Sequence, residues 1–216
     1  MDPSNPMAAV IPSLEGQVLR VLAGTTKPMT TATVAALVTR GTYPGVRAAL
    51  LRLTEVGTVL QDQVGTQLQY LVNREHLAWP AIQHAAQFAD GFRRELFQRL
   101  HDLTAQAVEH EDEHAGLVTV AVFGSVARGE AAAGSDLDVV IVFPPGLDET
   151  LVEDLADQIA RNGHTWTGNL TNPMVLDADR LQEMVDLGDP LVQSWIQDAL
   201  TVHGPDLRHR LTKDQP

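Results

Sequence analysis

LVTVAVF at residues 117–123, GSVARGEAAAGS at 124–135, DLD at 136–138 and VVIVF at 139–143 form one continuous stretch on which the reading of this chain turns. The two outer runs are short, apolar and rich in β-branched residues, the pattern of buried strands. The first runs directly into Gly124-Ser125. Glycine lets an anion approach the backbone closely, and N–H groups exposed where a strand turns into a helix favour negative charge. Asp136 and Asp138 stand at the mouth of the second strand, one residue apart, which places both carboxylates on one face. Two carboxylates beside a triphosphate make an oxygen cage suited to Mg²⁺. Metals held in this way can activate a nucleophile and steady a pyrophosphate leaving group.

Rival phosphate-binding motifs fit this stretch less well. Gly124 to Gly129 has the outline of a Walker loop, but Glu130 and Ala131 stand where Lys and Ser or Thr are needed. The segment contains no G-x-G-x-x-G. A plain tight turn accounts for the glycines but not for two acidic residues at the mouth of an apolar strand. The run GSVARGEAAAGSDLDVVIV resembles the signature of the DNA polymerase β-type nucleotidyltransferase superfamily. It is most similar to the minimal nucleotidyltransferases and their kanamycin nucleotidyltransferase relatives. Gly-Ser, Ala-Arg-Gly and Ser-Asp-Leu-Asp occur in order at the family spacing, within a match over residues 95–180.

That resemblance implies a mixed-sheet nucleotidyltransferase fold with ATP or another NTP as substrate. Gly124 and Ser125 would hold the nucleotide phosphates. Asp136 and Asp138 would be the catalytic residues and would bind Mg²⁺ (or Mn²⁺). Ser135 would orient the first Asp, and Arg128 would anchor the loop or the phosphates. The family also uses a third carboxylate on a later strand, often as general base. Here that strand is expected at Leu170–Leu176 (LTNPMVL), with the acid near Asn172 or Pro173, and it contains no Asp or Glu. Asp177, at its end, can cap a helix over Ala178–Val185. Trp195 reads as core, whereas Trp166 is a candidate for stacking on a base.

Upstream, Leu14, Val18, Leu19 and Leu22 share one helical face, with Ser13 as cap and Gly24 as stop. A second helix is expected over Thr31–Val38 and a third over Pro44–Glu55, with a turn at Gly41 between them. Thr58–Gln63 and Gln67–Val72 can pair as a hairpin across Val64-Gly65-Thr66. Three short helices and a hairpin resemble the winged helix-turn-helix of bacterial repressors of the ArsR and MarR kind. The resemblance implies that the third helix enters the major groove of double-stranded DNA, with Arg40, Tyr43 and Arg47 as contacts. Dimerisation or docking of a partner is the competing role. Gln61, Asp62 and Gln63 give the wing no basic residue for phosphate.

Residues 73–114 read as helical, with one helix over Ala78–Gln87 and a longer one over Phe88–Glu113 broken near Gly91. Phe92, Leu96, Leu100 and Leu103 form a buried stripe, with His101 beside it. HEDEH at His110–His114 sets two histidines four apart, but it is not H-E-x-x-H and reads as a solvated helix end rather than a zinc site.

The class expected is therefore α+β: an N-terminal winged helix-turn-helix, a helical linker and a C-terminal mixed-sheet nucleotidyltransferase domain. The divisions are a loose arm at 1–12, the winged helix at 13–75, the linker at 76–114, the nucleotidyltransferase domain at 115–207 and a tail at 208–216. Cysteine is absent from the 216 residues, which excludes disulfides and cysteine-bound zinc. With no secretory signal pattern and no long apolar run, a cytoplasmic protein without a membrane span is expected. Asn169-Leu170-Thr171 is then a chance match to a glycosylation acceptor.

Residues 76–216 hold nine Lys/Arg against twenty-three Asp/Glu. So acidic a segment does not attract nucleic acid by bulk charge, and any such contact must be local. Two functions lead, with a partner-binding antitoxin that has no DNA role as a third possibility. One is transfer of a nucleoside monophosphate to an acceptor hydroxyl on a protein, a tRNA or a small molecule such as an aminoglycoside. Resemblance to toxin–antitoxin members favours the first two acceptors. The other is a homodimeric DNA-binding transcription regulator whose acidic domain senses nucleotide or mediates dimerisation without catalysis.

Overall fold

The computed structural model describes residues 1–110 and 115–212. Two compact units divide the chain, one formed by Ser4–Phe92 with Asp2, the other by residues from Arg93 onward with Met1 and Pro3.

In the first unit, α1 (Leu14–Ala23), α2 (Thr31–Leu37) and α3 (Tyr43–Glu55) precede β2 (Val59–Val64) and β3 (Gln67–Val72), while a two-residue strand, β1 (Met29–Thr30), lies ahead of α2. The apolar faces meet in one core: Val18, Leu19 and Leu22 of α1, Val34 of α2, and Val46, Ala49, Leu50 and Leu53 of α3 pack with Val59, Tyr70 and Val72. Thr30 and Thr42 cap α2 and α3, their hydroxyls accepting from the N–H groups of Thr33 and Gly45. Ser13 holds the corresponding position on α1 without a capping bond. Gly65 takes φ 63° at the first position of the β2–β3 turn, the sign a type II′ hairpin turn demands. β1 adds to the free side of β3, giving the order β1-β3-β2. Two residues carry no periodicity, so nothing in the local pattern announces this strand.

Residues 1–12, expected as a loose arm, are packed. Pro6–Ala9 form a 3-10 turn, and Met7 is fully buried in the core of the first unit. Gly16 permits this, because a Cβ there would stand 2.6 Å from the Ile11 carbonyl oxygen. The break expected near Gly91 is also absent: α4 runs unbroken over Trp79–Ala107. A helical glycine costs about 1 kcal/mol relative to alanine, and burial of Ile82, Ala85, Ala89, Leu96 and Leu100 on either side of it outweighs that.

The second unit contains β4 (Thr119–Phe123), α5 (Gly124–Arg128), β5 (Leu137–Phe143), α6 (Glu149–Thr167), β6 (Thr171–Asp177), α7 (Ala178–Asp186), α8 (Pro190–Asp198), β7 (Leu200–His203) and α9 (Leu207–Thr212). The sheet order is β6-β5-β4-β7, with β5 and β6 parallel and the other pairs antiparallel. Side chains alternate across it. Ala121, Val140, Val142 and Leu176 face a core completed by Leu181, Met184, Val192, Trp195 and Leu207 of α7, α8 and α9. α6 packs against β6 and β5 and buries Val152, Leu155 and Ile159. No described helix is long and apolar enough to cross a membrane.

Gly163 lets α6 approach β6, since a Cβ there would lie 2.4 Å from Thr171 Oγ1 and 2.9 Å from its Cγ2. Gly163→Ala is expected to destabilise the unit by about 1–3 kcal/mol, the usual range for overpacking. A urea midpoint unchanged by the substitution would contradict that close approach.

Candidate nucleotide and metal site

β4 and β5 converge at one end of the sheet. Phe123, the last residue of β4, stands opposite Asp138, and Asp138 stands opposite Asn172 of β6 in the parallel register. Alternation puts Asp138 on the face of Val140 and Val142, and Asn172 on the face of Met174 and Leu176, beyond the edge of the core that Trp195 fills. Asp136 precedes β5 by one residue. The two carboxylates therefore end a face whose other members are apolar and buried.

Gly124 follows Phe123 with φ 70°, and a Cβ on it would stand 2.5 Å from Asp138 Oδ2. Glycine is required twice over, for the left-handed backbone and for the carboxylate against it. Ser125 enters α5, and its carbonyl accepts from the N–H groups of Glu130 and Ala131, folding the following loop back onto it. Arg128 lies between Glu130, whose Oε2 is 2.9 Å from Nε, and Asp198, which pairs with Nη1. Both bonds raise the Arg128 pKa further above its ordinary value. Ser135, expected to orient the first Asp, instead accepts the Ala132 N–H at 2.8 Å and closes its own loop.

Sequence reasoning did not anticipate three supporting groups. Asn172 Nδ2 donates to Asp136 Oδ2 at 3.1 Å, so an amide holds the place where the resemblance calls for a carboxylate. Asn169 is 3% exposed. Its Nδ2 donates to the Ser135 carbonyl at 2.7 Å, and its Oδ1 accepts from the Met1 amino group at 2.7 Å. An amide so engaged pins the Ser135–Asp136 loop. Asp198 has 8% side-chain exposure and leaves Oδ1 buried without a hydrogen bond. Its signal lay in distance along the chain, which no local motif reports.

Asp177 caps α7, as its position at the end of β6 suggested, accepting from the Arg180 N–H at 2.6 Å. Trp195 is fully buried, edge-on to Phe123. Trp166 lies under the Arg99 guanidinium, 5.7 Å from its ring centroid, so a cation already covers the face expected to take a base. Glu111–His114 of the HEDEH run lie outside the described residues. In the first unit, Tyr43 and Arg47 are exposed and one turn apart on α3, while Arg40 pairs with Asp2 at 3.1 Å.

Burial raises the Asp138 carboxyl above its usual value, helped by the negative charges of Asp136 and Asp198, while Arg128 pulls the other way. A carboxyl with a higher pKa folded than unfolded holds its proton more tightly in the native state. Its stabilising contribution is present in acid, below the unfolded value, and is lost as pH rises through the folded one. Asp138→Asn is therefore expected to melt with wild type in acid and above it at neutral pH. A Tm difference that does not change with pH would contradict this.

A divalent cation fits this donor set. Asp136 and Asp138 lie close enough for each negative charge to oppose the other, and burial adds to the cost at Asp138, so a cation between them would relieve both. Among the described residues, no group of three His, Asp or Glu side chains is gathered so as to hold a metal ion.

Residues 104–180 match the family model described as the nucleotidyltransferase domain. The match takes in β4, α5, β5 and β6, and with them every residue of the carboxylate site except Asp198. No curated protein matches the chain. Among solved structures, a toxin–antitoxin complex with AMP-PNP is similar over 48% of this chain and 73% of its own, at 18% identity and a TM-score of 0.32. A putative nucleotidyltransferase from Sulfolobus solfataricus is similar over 50% and 84%, at 20% identity and 0.26. TrmBL2, an archaeal chromatin protein, is similar over 88% and 76%, at 14% identity and 0.29.

Proposed function

We propose that this nucleotidyltransferase segment transfers a nucleoside monophosphate from ATP or another NTP to an acceptor hydroxyl and releases pyrophosphate. The observation that carries the reading is the contact of Asp138 with Gly124: a carboxylate crowded against the one residue type that leaves room for it, beside a second carboxylate. Asp136 and Asp138 would hold Mg²⁺ or Mn²⁺, which when bound supplies positive charge for the phosphates and the leaving group. Gly124 and Ser125 would receive the β- and γ-phosphates. Asn172 fixes one oxygen of Asp136, Asn169 holds the loop that carries it, and Asp198 steers Arg128. Asn172 cannot take a proton from the acceptor, so that proton must go elsewhere: to solvent, to phosphate or to a carboxylate from another part of the chain.

The test is label transfer with each α-labelled NTP and Mg²⁺, alone and with cell lysate, beside the double variant Asp136→Asn/Asp138→Asn. Label moved only by the wild type supports the reading, and the labelled species identifies the acceptor class. Nucleotide binding without transfer from any NTP would defeat it.

Asn172 in place of a carboxylate favours a second reading. In it the first unit is a winged helix, Arg40, Tyr43 and Arg47 contact DNA as part of a homodimer, and the acidic unit senses nucleotide without catalysis. A gel shift on upstream DNA with and without ATP and Mg²⁺ decides it, and no salt-sensitive shift on any DNA would count against it.

A further inference from the structure

We infer that a groove beside β7 is a binding site for single-stranded nucleic acid, feeding a chain end toward the carboxylates. The groove has a volume of about 620 Å³ and lies wholly within the second unit. One wall is a face of α4: Arg93, Phe97 and His101 recur every fourth residue, and Arg94 lies beside them. The other wall is β7 and the start of α9, with Asp206 and Arg208. His101 Nδ1 bonds the Val202 carbonyl at 2.9 Å and holds the walls together.

Charge is what marks this groove. Eight arginines lie beyond residue 92. Arg99, Arg128 and Arg180 pair with carboxylates, Arg161 bonds the Asp157 carbonyl and Arg210 bonds Thr119. Arg93, Arg94 and Arg208 remain, with no carboxylate partner among the described residues, and all three line the groove. Asp206 shares it and keeps its charge while its Oδ1 accepts from the His209 N–H, so the lining carries three positive charges against one negative. Three such guanidinium groups gathered in so acidic a unit make a local attraction for phosphate, which their planar forks fit. They stand on two walls around a half-buried Phe97, an arrangement suited to successive phosphates with a base stacked on the ring.

The groove also adjoins the turn. Arg93 Nη1 donates to the Ala127 carbonyl of α5 at 3.4 Å, and Leu200 of β7 pairs with Val122, two residues before Gly124. The role as acceptor site rests on the transferase reading above; the binding does not.

The test is fluorescence anisotropy of a labelled single-stranded octaribonucleotide over a salt series, using the full chain. Arg94→Ser/Arg208→Ser is compared with wild type and with Asp136→Asn/Asp138→Asn. The expected result is wild-type binding that weakens tenfold or more in the arginine variant and persists in the carboxylate variant. Losing two phosphate contacts should also flatten the slope of log K against log salt by about 1.4, at about 0.7 per contact for single strands. Binding unaffected by the arginine substitutions would overturn the proposal, as would binding of duplex DNA alone. A doubly phosphorylated peptide that binds more tightly than RNA would do so too. If label transfer fails while this binding holds, the transferase reading falls and the groove stands; the reverse pattern removes only the groove.

Discussion

Asp138→Asn and Asp136→Asn are each expected to slow nucleotidyl transfer by about 10³-fold. That is the several kcal/mol a bound cation contributes, at about 1.4 kcal/mol per tenfold. Asp138 is the more informative position. Its carboxyl is held above its usual pKa by burial and by Asp136, so its charge costs the fold stability rather than adding to it. The Asn variant should therefore be inactive and more stable at neutral pH, a combination that unfolding cannot mimic. Mg²⁺ should raise the wild-type Tm and leave the variant's unchanged, because a ligand that binds only the native state stabilises it. Gly124→Ala probes the same contact from the other side. Its φ of 70° and a Cβ 2.5 Å from Asp138 Oδ2 force the carboxylate or the turn to move. A displacement of this order at a reacting centre costs about 10²-fold. Single-turnover rates with labelled NTP measure all three, and an Asp138→Asn rate within tenfold of wild type would remove this carboxylate from the proposed metal site.

Local signals carried much of the second unit. The runs at 117–123 and 139–143 announced β4 and β5, because a buried strand needs an unbroken apolar run. Asp136 and Asp138 stood out as candidates because two carboxylates one residue apart at the mouth of a buried apolar run are unusual. Asn172, Asn169 and Asp198 were not legible as partners: they come from β6, its approach and the end of α8, and only the register of Asp138 with Asn172 brings the first of them in. Asn172 lay where an acid was expected, yet its hydrogen bond to Asp136 could not be read from LTNPMVL. The same limit hid the packing of Met7, which depends on space left by Gly16, and the continuity of α4 past Gly91, where burial on both flanks outweighs a poor local propensity.

Asn172→Asp is expected to raise the transfer rate by about 10²-fold, the lower end of what a positioned general base contributes. The position is right for it: Asn172 pairs with Asp138 in register, and its amide reaches Asp136 Oδ2 at 3.1 Å. Substitution turns a donor into a third negative charge in the same cluster. Without a cation, Asp136, Asp138 and the new carboxylate repel one another, so the variant should melt below wild type. With Mg²⁺ the repulsion becomes attraction for the ion, and the gain in Tm on adding Mg²⁺ should exceed that of wild type. The rate should also acquire a dependence on pH, rising as the new carboxylate ionises, where wild type has no such base at this position. Asn172→Ala separates the two roles of the side chain. It removes the bond to Asp136 without supplying a base, and should slow transfer without adding a limb to the pH profile. If Asn172→Asp is no faster than wild type while its Mg²⁺ response grows as expected, the third carboxylate serves the cation and not the acceptor proton, and position 172 is not where this protein places its base.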